Sequence, residues 1–286
     1  MDTLTMTFFG VRGSYPVPDH RMSRYGGNSA SVLLETPGAH VILDAGTGII
    51  RAGKYLQKKF VHKPEFRKIH IFLTHLHIDH IMGLPFFSPM FDPDCHIRIH
   101  CPRYETIDFQ KAVEALFLPP YSPITLDGIR ARVDFLTLEE PVRKAVPVAE
   151  GTTVDFIRHS LHPLLGVAIY RVRHRDQTVV YATDVESPDG FDPDIIRFIR
   201  GADVLIHDSQ YQDSDYFRPL QSRKGFGHST VSRAAQNARQ CGVKKLFLFH
   251  YDPSYTDATV EKMRTQARTE FKRTYLAREL ERIKIK

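Results

Sequence analysis

Short apolar runs bounded by Gly, Pro, Asn and Asp set the pattern of this chain. Unbroken or alternating apolar positions predict strands at "LTMTFFG" (4–10), "SVLLET" (31–36), "HVILDAG" (40–46), "KIHIFLT" (68–74), "HIRIHC" (96–101) and "ARVDFLTL" (131–138). They recur at "TVDFIRH" (153–159), "GVAIYRV" (166–172), "TVVYAT" (178–183), "ADVLIH" (202–207) and "KKLFLFH" (244–250). Helical spacing predicts helices over 47–59, 106–117, 193–200, 229–241 and 256–283. In the fourth, Ser229 or Thr230 can cap the start, Gly242 can end it, and Val231, Ala234, Ala235 and Ala238 make an apolar face. Strand groups each followed by helices predict an α/β fold with sheets inside and helices outside.

Length and composition narrow the class. With 286 residues, 42% of them hydrophobic, the chain can bury a full core, and no repeat or linker divides it, so one domain over 1–286 is expected. Proline-rich "YPVPDH" and "SPDGFDPD" are loop signals. The start, "MDTLTMTFFG", has no basic segment followed by an apolar stretch, and no run approaches the roughly 20 apolar residues that span a bilayer. A cytoplasmic protein with no membrane partner is the expectation. Three cysteines, Cys95, Cys101 and Cys241, lack CxxC spacing, which argues against both a disulfide framework and a thiolate metal site. The net charge of +6 is scattered, and reads first as a solvated basic surface.

The chemistry is concentrated at the carboxyl ends of the strands. "IHIFLT" runs into His75, His77, Asp79 and His80; "VDFIR" into His159 and His162; "VVYAT" into Asp184; "VLI" into His207 and Asp208; "LFLF" into His250. A lone His after a strand is ordinarily a hydrogen-bonded loop residue. Five strands delivering imidazoles and carboxylates at the edge where open α/β sheets place ligands change that balance. The set suits divalent ions: imidazole fits Zn, Fe or Mn, and a carboxylate can bridge two ions. His75 and His77, two apart, would point to opposite sides of a helix, so a loop is expected there, with Asp79 and His80 displaced toward a second ion.

The heptapeptide "THLHIDH" (74–80) contains HxHxDH, the signature of the metallo-β-lactamase superfamily, which the chain resembles over essentially its full length. "FFGVRGSYPVP", "RYGGNSASV", "ILDAGTG", "HP" at 162–163, "YATDVE", "ADVLIHDSQY", "GFGHST" and "LFHYDP" resemble the branch holding ribonuclease Z and related phosphodiesterases. The resemblance implies an αββα sandwich of two mixed β-sheets flanked by helices. It also implies two divalent metal ions, with Zn expected and Mn or Fe the alternatives. His75, His77 and His162 would hold one ion, Asp79, His80 and His250 the other, and Asp184 would bridge them. His162 is preferred to His159 on the "HP" pair alone. Asp44 in "LDAG" reads either as a carboxylate behind a ligating histidine or as a strand-terminal turn residue. His228 in "GHST" matches a phosphodiesterase motif, and Asp208 in "HDSQ" stands where ribonuclease Z has a glutamate. His228 also precedes a capped helix, whose amino end favours a phosphate.

The implied function is a dinuclear-metal phosphodiesterase in which the ions activate a water, with Asp79, Asp208 and His228 in the catalytic set and His228 as acid. No insertion matches the basic arm with which ribonuclease Z grips tRNA, so a small phosphodiester such as a cyclic nucleotide is the first expectation. Arg12 and Asn28 are candidate phosphate contacts, with a turn-building role the simpler reading for both. RNA processing is the second reading, a lactamase or thioester hydrolase the third, and a non-catalytic sensor the fourth. A homodimer is compatible with each.

Overall fold

The computed structural model describes residues 3–61, 67–120, 122–140, 145–164 and 166–286. Among these, one seven-stranded sheet consists of β1 (Thr5–Gly10), β2 (Ser31–Glu35), β3 (His40–Leu43), β4 (Lys68–Phe72), β5 (His96–Pro102), β6 (Arg132–Leu138) and β14 (Arg282–Lys284), in the order β14-β1-β2-β3-β4-β5-β6. The other, also seven-stranded, consists of β7 (Val146–Ala149), β8 (Thr152–His159), β9 (Val167–His174), β10 (Gln177–Ala182), β11 (Val204–Asp208), β12 (Leu246–Phe249) and β13 (Thr274–Leu276), in the order β13-β12-β11-β10-β9-β8-β7. Both are mixed: β3 to β6 and β10 to β13 pair in parallel, and the remaining neighbours are antiparallel.

Two-residue periodicity explains why the first sheet is apolar throughout. Val32, Leu34, Val41, Leu43 and Phe72 face the second sheet, where they meet Tyr170 and Tyr181. Their neighbours Leu33, Ile42, Ile71 and Ile99 point the other way, onto Ile49, Ala52, Leu56 and Phe60 of α1 (Gly48–Phe60). A sheet covered on both faces needs continuous apolar runs, each buried side chain contributing ~1.5–3 kcal/mol. After the short α4 (Pro193–Ile199) and α5 (Asp213–Tyr216), the helices α6 (Val231–Gln240) and α7 (Asp257–Glu270) cover the second sheet at β11 to β13, completing the expected αββα sandwich. Thr230, rather than Ser229, caps α6, its Oγ1 accepting from Arg233 N at 3.2 Å, and Gly242 follows the helix in the left-handed region (φ +63°).

Two expected helices are corrected, and one strand goes unpredicted. The helix predicted over 256–283 ends at Glu270, and the chain then forms β13 and β14. "RELERIKIK" is locally helix-favouring, but pairing of Met6 with Ile283 and of Leu246 with Thr274 decides otherwise. The sequence pattern does not predict β7, because Pro147 interrupts it; the proline is tolerated at the sheet edge beside a register shift. The predicted helix over 106–117 is shorter, with an α-helical part α3 (Phe109–Glu114). No helix among the described residues is long and apolar enough to cross a membrane.

Candidate metal centre

Strand direction brings the predicted residues together. β10, β11 and β12 run parallel, and β8 and β10 are both antiparallel to β9, so all four end at one edge. Asp184, Asp208 and His250 stand at those ends, with His162 just past β8. From the facing sheet, β3 delivers Asp44 and β4 delivers residues 75–80. His75 and His77 lie in the expected loop, but Asp79 and His80 do not: they sit on the single turn α2 (Ile78–Ile81). Asp44, Asp184 and His250 each follow a strand in the left-handed region, at φ +61°, +55° and +63°. Non-glycine residues there cost on the order of 1 kcal/mol or more, a strain characteristic of functional sites.

The donor atoms of His75, His77 and His162 lie within 4.8 Å of one another, as do those of Asp79, His80 and His250. Asp184 faces both sets. Its Oδ1 is 3.9 Å from Nε2 of His75 and 3.9 Å from Nε2 of His162, while its Oδ2 is 3.2 Å from Nε2 of His80 and 3.3 Å from Nε2 of His250. His159 stays outside: its Nε2 lies 2.7 Å from the Glu186 carbonyl oxygen, and its ring packs on Phe191. His207 likewise points away, to Asn237.

In four of the five candidate ligand imidazoles the outer nitrogen is pinned to an oxygen, and the fifth, His77, meets His162 Nε2 through Nδ1 at 3.0 Å. His75 Nδ1 meets Thr74 Oγ1 at 3.0 Å, His80 Nδ1 meets Asp44 Oδ2 at 2.8 Å, His162 Nδ1 meets the Gly227 carbonyl at 3.1 Å, and His250 Nδ1 meets Gln210 Oε1 at 2.9 Å. Donation by Nδ1–H leaves the Nε2 lone pairs facing inward, the arrangement that orients metal-ligating histidines. His75 Nε2 is buried without a hydrogen-bond partner among the described residues, and Nε2 of His80 lies 3.2 Å from Nε2 of His250. With both rings neutral, these two nitrogens would set lone pair against lone pair, so the donor set calls for positive charge: a proton on His80 held by its carboxylate neighbours, or a metal cation in its place. Thr74, Gln210 and Gly227 carried no distinguishing signal in the sequence beyond their places in "LTHLH", "HDSQ" and "GFGHST".

Electrostatics point the same way. Burial by itself would raise the carboxyl pKa values of Asp79 and Asp184 and lower that of His80. Mutual attraction reverses all three. His80 and His250 hold both carboxyls well below their usual range, and Asp184, Asp79 and Asp44 hold the His80 imidazole well above its own. Burial dominates at His162, lowered to about 4, and at His75, so these stay neutral and available as ligands. Asp44 also accepts from Thr74 N at 2.7 Å and from the Tyr181 hydroxyl at 2.9 Å, which gives it the supporting place behind His80.

His228 flanks both sets, its ring centroid 5.1 Å from that of His250 and 5.4 Å from that of His162. Its Nδ1 is 2.7 Å from Asp208 Oδ2. Asp208 is itself fixed by three backbone amides, those of Asp184 (3.0 Å), Gln210 (3.0 Å) and Ser229 (3.1 Å). Burial disfavours a charged His228, but the charge and hydrogen bond of Asp208 outweigh it and raise the imidazole to about 9. Arg12 is no phosphate contact: it is fully buried and donates to the carbonyls of Gly26 and Tyr255. Asn28 is tied to Glu279.

Residues 39–251 match the profile of the Beta-lactamase superfamily domain. The chain belongs to the metallo-β-lactamase superfamily. As a member it is a metal-dependent hydrolase, and the superfamily fold implies divalent metal at the His and Asp clusters. A ribonuclease Z of Porphyromonas gingivalis is 29% identical over 280 positions, covering 82% of this chain and 88% of its own. One of Thermoplasma acidophilum is 28% identical over 324 positions, covering 99% and 97%. Among solved structures, a metallo-β-lactamase fold protein of Bacillus subtilis matches with a TM-score of 0.71 at 19% identity, over 99% of this chain and all 100% of that one. Human tRNase Z, short form, matches with a TM-score of 0.67 at 20% identity, over 99% of each chain. The curated sequences this superfamily member resembles are ribonuclease Z proteins, and the solved structures share its fold.

Proposed function

We propose that the chain hydrolyses phosphodiester bonds in RNA, as a 3′-processing endonuclease. His75, His77 and His162 would hold one divalent ion and Asp79, His80 and His250 a second, with Asp184 placed to serve both sets. Zn is the expected metal. When bound, such ions would supply Lewis acidity that lowers the pKa of a water toward neutrality and favours charge on a phosphoryl oxygen. The Asp208 carboxylate favours the protonated form of His228, which, with Nδ1 committed to Asp208, would offer Nε2–H to the leaving alkoxide or to a phosphoryl oxygen. Asp208 orients that ring.

The observation that carries the reading is the His228–Asp208 pair beside both ligand sets, because lactam or thioester hydrolysis has no need of it. The relatives named ribonuclease Z favour RNA over the cyclic nucleotide expected from the missing arm. The test is a substrate panel with metal-loaded protein: a tRNA precursor with a 3′ trailer, cyclic mono- and dinucleotides, bis-p-nitrophenyl phosphate, nitrocefin and S-lactoylglutathione. Cleavage of the precursor supports the proposal. Turnover of cyclic nucleotides with the precursor intact would return the site to small diesters, and turnover of nitrocefin alone would remove the phosphodiesterase reading.

A further inference from the structure

Residues 217–226, "FRPLQSRKGF", form ten consecutive exposed positions that end two residues before His228. The segment holds three cations, Arg218, Arg223 and Lys224, and no carboxylate. Among the described residues, none of these three cations has an ion pair. Interleaved with them are Phe217, Leu220 and Phe226, 66%, 96% and 52% exposed. Exposed rings and unpaired cations on one loop form a surface that an uncharged partner would not satisfy.

The loop is nonetheless fixed in place. Glu186 binds both of its ends, accepting from the Tyr216 hydroxyl (2.5 Å) and from the amides of Gly225 (2.7 Å) and Gly227 (2.8 Å). Ser222 Oγ and Arg223 N both donate to the Tyr216 carbonyl, at 2.9 and 3.1 Å. Gly227 is left-handed (φ +88°), and a Cβ there would fall 2.2 Å from His162 Nδ1, so the loop closes directly against a ligating ring.

Its position relative to the reacting atoms is defined by Arg223. That guanidinium lies 5.6 Å from the ring centre of Phe226 and 6.0 Å from that of Tyr211. Tyr211 packs edge-on against His228 at 5.8 Å. A fixed cation thus stands one ring away from the imidazole assigned to the leaving group, and Phe226 stands outside it. Aromatic faces that stack bases, combined with cations that neutralise phosphates, are how proteins hold single-stranded nucleic acid.

Resting on the RNA reading above, we propose that residues 217–226 are the single-strand RNA contact of this site. Phe226 stacks a base next to the cleaved linkage, while Arg218, Arg223 and Lys224 neutralise the flanking phosphates. The loop does the work for which the sequence offers no separate arm.

The test compares wild type with the triple variant Arg218→Ala, Arg223→Ala, Lys224→Ala and with Phe226→Ala, all metal-loaded, on a precursor RNA with a single-stranded trailer at several salt concentrations. Metal content and melting temperature report folding. The triple variant is expected to raise KM about tenfold or more, and to lower the salt slope of log(kcat/KM) by roughly 2, since three phosphate contacts on a single strand contribute about 0.7 each. Phe226→Ala is expected to raise KM about tenfold with the salt slope unchanged. A triple variant with the wild-type KM and slope overturns this assignment and leaves the RNA reading standing. Wild type that hydrolyses bis-p-nitrophenyl phosphate but no RNA overturns both. Binding to phosphatidylserine vesicles that the triple variant loses, with KM for RNA unmoved, overturns it in favour of a membrane surface.

Discussion

Asp44 Oδ2 accepts a 2.8 Å hydrogen bond from Nδ1–H of His80, and both side chains are fully buried. This bond fixes the ring so that Nε2 faces Asp79, Asp184 and His250. Replacement by Asn keeps the size and tolerates the left-handed backbone, but removes the charge that favours Nδ1–H donation. Asp44→Asn is expected to weaken metal binding about 10–100-fold, read by competition with a chromophoric chelator. Unchanged affinity would reduce Asp44 to a turn residue.

His228 separates chemistry from metal binding. His228→Ala is expected to lower phosphodiester kcat about 10²–10⁴-fold while metal content stays at the wild-type level. Asp208 favours the protonated imidazole, and a general acid is lost as the pH climbs through its pKa, so activity should decline on the alkaline side. Asp208→Asn removes the largest raising influence and should shift that decline to lower pH, visible in a pH–rate profile. An identical alkaline limb in both proteins would contradict the acid role.

Removing metal should affect stability as well as rate. Asp44, Asp79 and Asp184 are buried around imidazoles whose lone pairs converge, and a cation satisfies both. Chelation is expected to abolish hydrolysis and to lower the melting temperature by roughly 5 °C or more, both restored by Zn. A melting temperature indifferent to chelator would mean that these groups satisfy one another.

Much of this centre was legible because its residues are unusual in type and fall at strand ends: "HLHIDH", Asp184 after "YAT" and His250 after "LFLF" announce themselves. What was not legible depends on contacts across the fold. Beyond the "HP" pair nothing local distinguishes His162 from His159; in the fold His159 ends β8 with Nε2 on the Glu186 carbonyl oxygen, while His162 clusters with His75 and His77. Arg12, a candidate phosphate contact whose simpler reading is structural, is buried by partners the local sequence cannot reveal: besides the Gly26 carbonyl, it donates to those of Asp252 and Tyr255, more than two hundred positions away. The three-residue strands β13 and β14 are too short for any periodicity, and only their partners define them.

Away from the centre, His70 and His100 form a buried pair, Nδ1 to Nε2 at 3.1 Å, with His100 stacked on Phe72 at 4.2 Å. Burial depresses both, His70 to about 4 and His100 to about 3, from 6.5. Below about pH 6.5 the unfolded chain takes up protons that the folded one refuses, so this stabilisation is full above that pH and lost as the pH falls toward 4. Replacing both with Phe should flatten the fall in urea-unfolding stability between pH 7 and 5 by on the order of 3 kcal/mol relative to wild type. Parallel pH profiles for the two proteins would show that the pair charges freely in the fold.

The most direct measurement is anomalous diffraction from crystals of the metal-loaded protein. Two peaks are predicted, one among His75, His77 and His162 and one among Asp79, His80 and His250, about 3.5–4 Å apart with the Asp184 carboxylate between them. A single peak elsewhere, or none in fully active crystals, would contradict the claim that these strand ends build the reaction centre.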